Sequence, residues 1–254
     1  MNYKIPPNPH ALITGGGTGI GLAIAKELKS SGAKVTVCGR NFPRLQEVSE
    51  AHGFIPLEMD VTSESSVKRA THEAKEISGI INIHVANAGI AEGMDFAEMD
   101  FDFWRKIMST NLDGAYLSIK YSLASMTQGN WGRIIAISSV AGLRGLKGAT
   151  AYTASKHALI GLVRGISEEY LYSGITANAI CPGYVETPLV NRNVEKMAES
   201  LDISPEEARQ KLSRLNRNKK MLQPEEVAKT VTWLCSEGSE NVNGQVIPIA
   251  GGQI

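Results

Sequence analysis

Tyr152 and Lys156 stand four residues apart in a segment whose apolar pattern predicts a helix, so both side chains fall on one face, one turn apart. A free phenol has a pKa of about 10 and is a poor base at neutral pH, but a neighbouring ammonium favours the phenolate. Lowering that pKa by about 3 needs roughly 4 kcal/mol, within reach of two nearby positive charges in a partly dry site. Such a phenol can exchange a proton with an oxygen at a reacting carbon. Ser139 lies thirteen residues earlier, at the carboxyl end of a predicted strand, where its hydroxyl can hold a carbonyl oxygen. Ser138 is the rival, and strand alternation turns it to the opposite side. Taken alone, Tyr-x-x-x-Lys is equally a half-buried tyrosine beside a lysine with a snorkelling stem.

A second chemistry-bearing stretch is Thr14-Gly15-Gly16-Gly17-Thr18-Gly19-Ile20-Gly21, between an apolar strand and the helix that begins at Leu22. Glycines at 15, 19 and 21 allow a sharp turn that brings a helix N-terminus, with its free N–H groups, against a pyrophosphate. No Lys-Ser or Lys-Thr follows the last glycine, so the stretch is not a P-loop. A dinucleotide site of this kind usually has Asp or Glu at the end of the second strand, about 20 residues on. Here the chain reads Cys38-Gly39-Arg40-Asn41. The missing carboxylate removes a charge that would repel a 2′-phosphate, and Arg40 offers a planar fork suited to one. That favours NADP(H). A solvated Arg40 leaves NAD(H) possible, since Thr18 adds no second basic group.

The elements needed to position these residues alternate along the chain. Strands are predicted at 11–13, 34–38, 54–59, 81–86, 133–138, 175–180 and 246–249. Helices are predicted from Leu22 to about Ser31, over 63–77, as one long element over 101–126, over 151–172, and from Pro224 onward. Seven strands separated mostly by helices predict a Rossmann-type, doubly wound parallel α/β sheet with helices on both faces. Ligands of such sheets bind beyond the carboxyl ends of the strands, where the strand order reverses. The long departure from alternation is 184–223, where Ser204-Pro205-Glu206-Glu207 marks a helix start. A single domain over 1–254, with a helical insertion at 184–223, is expected.

Lys+Arg and Asp+Glu are both 26, which provides no global field to recruit nucleic acid or an anionic membrane. Cys38, Cys181 and Cys235 have neither Cys-x-x-Cys spacing nor disulfide-scaffold density, and read as small core residues of a reducing compartment. Met1 to Pro9 lack the basic start and apolar stretch of a signal peptide, and no apolar run approaches a membrane span. A cytoplasmic protein without a metal site is expected.

Thr14-Gly15-x-x-x-Gly19-Ile20-Gly21, Asp60, Asn87-Ala88-Gly89, Asn111, Ser139, Tyr152-x-x-x-Lys156 and Pro182-Gly183-x-x-x-Thr187 together resemble the short-chain dehydrogenase/reductase family, in order and spacing over nearly the whole chain. The resemblance implies interconversion of a secondary alcohol and a ketone with NAD(P)(H). It implies that Asn111, Ser139, Tyr152 and Lys156 form the catalytic set, Lys156 also binding the nicotinamide ribose and Asn111 holding a relay water. Asp60 and Val61 would meet the adenine, Asn87 would steady the central strand, Gly89 would border the cofactor, and Val185 and Thr187 would contact the carboxamide beside Pro182 and Gly183. Ala86 stands where many relatives have another asparagine, a departure that bears on stability. The family is typically tetrameric or dimeric, so a homotetramer or homodimer is expected.

In this family the 184–223 segment is the substrate lid. Arg209, Lys211, Arg214, Arg217, Lys219 and Lys220 make its second half basic, suiting a carboxylate or a coenzyme A phosphate, unless they form only a solvated face balanced by Glu206 and Glu207. Arg144 and Lys147, between Ser139 and Tyr152, are expected to line the pocket. Thr187-Pro188-Leu189-Val190 resembles the lid of hydroxybutyrate and hydroxyacyl-CoA dehydrogenases, whereas Ala141 and Ala149 replace the polar residues that hold free hydroxybutyrate. Asn130 and Ser173 replace the paired arginines that dock a carrier protein, so an acyl-CoA-type β-ketoacyl thioester or a simple ketone is the expected substrate. A catalytically silent NADP(H) sensor or scaffold on the same fold is the alternative, and a nucleic-acid binder resting on the basic run has no supporting motif.

Overall fold

The computed structural model describes residues 4–252. Met1 to Tyr3 of the expected leaderless segment, and residues 253 and 254 of the expected domain, lie outside them. Seven strands, β1 (His10–Thr14), β2 (Lys34–Gly39), β3 (Ile55–Glu58), β4 (Ile81–Ala86), β5 (Gly132–Ile137), β6 (Ile175–Pro182) and β7 (Val246–Ile249), form one parallel sheet in the order β3-β2-β1-β4-β5-β6-β7. Every residue of β1, β5 and β6 is buried, as a sheet covered on both faces requires.

Strand alternation assigns neighbouring residues to opposite layers. Ile13, Val37, Ile135 and Ile180 pack with α1 (Gly19–Ser30), α2 (Phe42–His52) and α9 (Pro224–Leu234), through Ile24, Leu28, Leu45, Val48, Val227 and Val231. Their neighbours Leu12 and Cys38 face α3 (Glu64–Ser78), while Ile134 and Ala179 face α5 (Gly114–Met126) and α6 (Thr150–Glu169). The order reverses between β1 and β4, which places a crevice beyond their carboxyl ends. Ala86 is buried against the α5 and α6 layer in the register of Ala136, where its methyl joins the core.

Two elements differ from expectation. Helix α2 was not predicted, although Asn41 accepts from Arg44 N at 3.1 Å, Pro43 sits in its first turn, and Gly53 closes it at φ 69°. The long helix over 101–126 is interrupted: α4 (Phe101–Met108) passes through a π segment, Ser109–Asp113, before α5. The π turn contains Asn111, whose buried side chain leaves the helix to bond the segment after β4. The insertion folds as α7 (Pro188–Leu201) and α8 (Pro205–Ser213), the latter started by a Ser204/Glu207 capping box. Val190, Val194 and Ala198 pack against Ala208 and Leu212, giving the insertion a small core of its own.

His84 in β4 is fully buried between Ser118 and Ser122 at 3.2 and 2.8 Å, and burial pulls its pKa down to about 3. Protonation therefore favours the unfolded chain. The neutral ring's contribution is complete above pH about 6.5 and is lost as pH falls from there toward 3, at about 1.4 kcal/mol per pH unit. His84→Asn should weaken the protein at neutral pH and flatten the acid slope of unfolding free energy by about one proton. An unchanged slope in urea titrations between pH 6.5 and 4.5 would show that His84 does not contribute to it.

Candidate active site

The glycine-rich turn crosses from β1 into α1 with Gly15 at φ 65° and Gly19 at φ 53°, backbone that side-chain-bearing residues rarely adopt. A Cβ at Gly21 would lie 2.3 Å from Gly15 O and 2.5 Å from Asn87 Nδ2, so only glycine lets the helix approach this closely. Thr18 makes no side-chain cap bond, and the first turn of α1 carries no acid, leaving its N–H groups open to an anion. Asn87 Nδ2 donates to Thr14 O at 2.9 Å and Gly15 O at 3.2 Å, joining the ends of β4 and β1. The Thr14 hydroxyl accepts from Asn87 N and Ala88 N, each at 3.0 Å. These bonds hold the turn to the crevice.

Beyond β5, Ser139 caps a short 3-10 turn, its Oγ accepting from Ala141 N at 3.1 Å. The Tyr152 phenol lies beside its hydroxyl. Burial pushes the phenol above its usual range, and the neighbouring Ser139 hydroxyl opposes that shift. The Lys156 ammonium lies 5.7 Å from the Tyr152 ring centre and donates to Ile137 O at 2.8 Å. Burial pulls its own pKa down to about 8. Lys156 is not among the groups that shift the phenol, and the surroundings given by this chain alone hold Tyr152 protonated. Ser138 turns the other way, donating to Lys156 O at 3.0 Å, which fixes the α6 backbone.

Asn111 Oδ1 accepts from Ile90 N at 2.8 Å, while Nδ2 donates to Ile90 O at 2.9 Å and Ser155 Oγ at 3.1 Å. Ser155 in turn donates to Tyr152 O at 2.7 Å. A chain of bonds therefore links the segment after β4, the π turn and the first turn of α6.

A cleft of about 560 Å³ brings together Gly15, Thr18, Gly19, Ile20, Asn87, Gly89, Ser139, Tyr152, Lys156, Pro182, Gly183, Val185 and Thr187. Four other predicted residues do not line it. Asn111 lies behind it, and Val61 is buried against Gly114. Asp60 accepts from Thr62 N and Oγ1, bonds that hold its carboxyl below the usual range, while Arg40 is exposed just past β2.

The short chain dehydrogenase family model matches residues 9–198. The chain belongs to the short-chain dehydrogenase family. As a member it is an oxidoreductase acting on CH–OH groups. The 3-oxoacyl-[acyl-carrier-protein] reductase FabG of Aquifex aeolicus is 34% identical to it, covering 95% of this chain and 96% of the relative. The reductase MabA of Mycobacterium avium is also 34% identical, over 95% of this chain and 88% of its own. Among solved structures, a variant of actinorhodin polyketide ketoreductase with NADPH superposes with TM-score 0.93 at 32% identity, covering 97% of both chains. Levodione reductase superposes with TM-score 0.92 at 30% identity, over 97% of this chain and 98% of that one.

Within this short-chain dehydrogenase the cationic lining differs from expectation. Arg144 and Lys147 do not line the cleft, nor does any of the six cations between Arg209 and Lys220. Arg209 is spent on Glu186 and Asn191, and Arg217 on Gly252 O. Arg192 and Lys196 of α7 are the cations of the insertion that reach it. Sequence reasoning also missed Arg44, whose Nε donates to Gly17 O at 3.3 Å from across the glycine turn. The cap signals of α2 were the available clue to its position.

Proposed function

We propose that the protein is an NADP(H)-dependent reductase of ketones or β-ketoacyl thioesters of the acyl-CoA type, able to run in reverse as a hydroxyacyl dehydrogenase. The observation that carries this reading is the half-buried Tyr152 phenol beside Ser139 and Lys156, all three lining the cleft that begins at the glycine turn. The names of the relatives FabG and MabA, and of the ketoreductase solved with NADPH, point the same way.

The residues present suit the cofactor. Gly15, Thr18, Gly19 and Ile20 would receive the pyrophosphate at the α1 N-terminus, and Arg40, with Arg44 nearby, the 2′-phosphate. Asp60 and Val61 would serve the adenine side; Asn87, Gly89, Pro182, Gly183, Val185 and Thr187 would border the nicotinamide. Bound NADPH supplies the hydride. Ser139 Oγ orients the carbonyl oxygen, and Tyr152 donates its phenolic proton to that oxygen as the carbon is reduced. Lys156 steadies the phenolate left behind and binds the ribose, and Asn111 supports the relay that returns a proton. No step uses a metal.

We read residues 1–254 as one domain with 184–223 as the substrate lid, working in the cytoplasm. No described helix is long and apolar enough to cross a membrane, and all three cysteines are free and buried. Phe96, Phe101 and Tyr116, exposed around α4 and α5, support packing into a homotetramer or homodimer. Nucleic acid is not among the proposed partners.

The test is NADPH and NADH consumption by the purified protein with ketoacyl-CoAs, cyclic ketones and aryl ketones. Turnover of at least one class with NADPH preferred is the expected result. Saturation with NADH but not NADPH would overturn the cofactor assignment, and no turnover of any class would overturn the reductase.

A further inference from the structure

The lid cannot pack its own core without presenting cations to the cleft. On α7, Val190, Val194 and Ala198 form the face buried against α8, while Leu189, Arg192, Asn193 and Lys196 fall at i, i+3, i+4 and i+7 and line the cleft. We propose that Arg192 and Lys196 form an anion subsite that holds a carboxylate or phosphate on the carbonyl substrate, at the end remote from the reacting carbon. The inference rests on the reductase reading above.

The charges of the cleft support it. Four charged side chains line it: Glu92, Lys156, Arg192 and Lys196. Glu92 is occupied by Lys106, which donates to both its oxygens at 2.9 and 2.6 Å. Lys156 is buried and committed to Ile137 O. Arg192 and Lys196 are exposed and join no ion pair among the described residues. Glu195 and Glu199 share their helix but do not line the cleft. Two uncompensated cations about 6 Å apart along the helix axis can close on one anionic group, the guanidinium by a fork of two bonds. A free keto acid and the phosphate of a phosphopantetheine thioester both supply that chemistry.

The experiment compares three substrates with NADPH: a neutral cyclic ketone, a keto acid and a ketoacyl-CoA. The enzymes are the wild type, Arg192→Ala/Lys196→Ala and Arg192→Lys. The double variant should raise KM about 30-fold for the anionic substrate that the site takes, with little change in kcat. Arg192→Lys should recover part of that loss, and added salt should shrink the difference between enzymes. The neutral ketone should lose less than about threefold in kcat/KM, and the NADPH Kd should stay within about twofold, as expected for groups that touch neither. Whichever anionic substrate shows the KM effect identifies the source. An equal loss on the neutral ketone, a parallel rise in the NADPH Kd, or no KM change with either anion overturns the subsite. Wild-type protein that turns over none of the three overturns the reductase reading itself, and the subsite with it.

Discussion

Tyr152→Phe should lower kcat for ketone reduction by about three orders of magnitude, near 4 kcal/mol of barrier, while NADPH binding is retained. Phenylalanine keeps the ring that packs beside Lys156 and removes only the hydroxyl beside Ser139. Ser139 cannot replace it as an acid, because an aliphatic hydroxyl gives up its proton far less readily than a phenol. Lys156 cannot easily do so either, since its ammonium is engaged with Ile137 O. Circular dichroism and NADPH fluorescence titration would confirm that the variant is folded and binds. The direction of pH dependence follows from the same burial. Reduction uses the protonated phenol, and burial raises the pKa at which that proton is lost, so reduction should hold level through neutral pH and decline only on the alkaline side. Unimpaired reduction by Tyr152→Phe would remove Tyr152 from the proton path and revive a silent, cofactor-binding reading of the fold.

Much of this site was legible because the family's residues are tied to the ends of strands, and strand ends are readable from short apolar runs. Ser139 and Ser138 show how far alternation reaches: both border the cleft, but the Ser138 hydroxyl is committed to the Lys156 carbonyl while that of Ser139 lies beside the Tyr152 phenol. What escaped depends on contacts distant in sequence. Thr14 accepts from residues more than seventy positions away, and nothing local marks it as a hub. The π turn at Asn111 sets its side chain on the Ile90 backbone, a contact distant in sequence, against an apolar pattern that reads as continuous helix. The cations of the 184–223 insertion were misread for a different reason. Counting cations along 209–220 ignored helix register, whereas the stripe through Leu189, Arg192, Asn193 and Lys196 was present in the sequence at helical spacing. The direction of the Tyr152 shift required knowing what surrounds the phenol, which no pairwise spacing reveals.

Arg40→Glu should reverse the coenzyme preference, cutting kcat/KM for NADPH by about 100-fold and raising it several-fold for NADH. Arg40 follows directly on Gly39, the last residue of β2, beside the glycine turn, and it is exposed, in no ion pair among the described residues. A carboxylate there repels a 2′-phosphate and can instead accept from a ribose 2′-hydroxyl. Arg44 borders the same turn through Gly17 O, but Glu47 binds it at 2.7 Å and offsets much of its charge. Arg44→Ala should therefore cost NADPH less, about fivefold, and Glu47→Gln should tighten NADPH slightly by releasing that charge. Coenzyme Kd values separate these effects from changes in chemistry, and the Arg40 effect should weaken as salt rises. If the NADPH to NADH ratio does not move in Arg40→Glu, Arg40 is a solvated surface residue. The preference must then come from Arg44, and Arg44→Ala would carry the loss that Arg40→Glu did not.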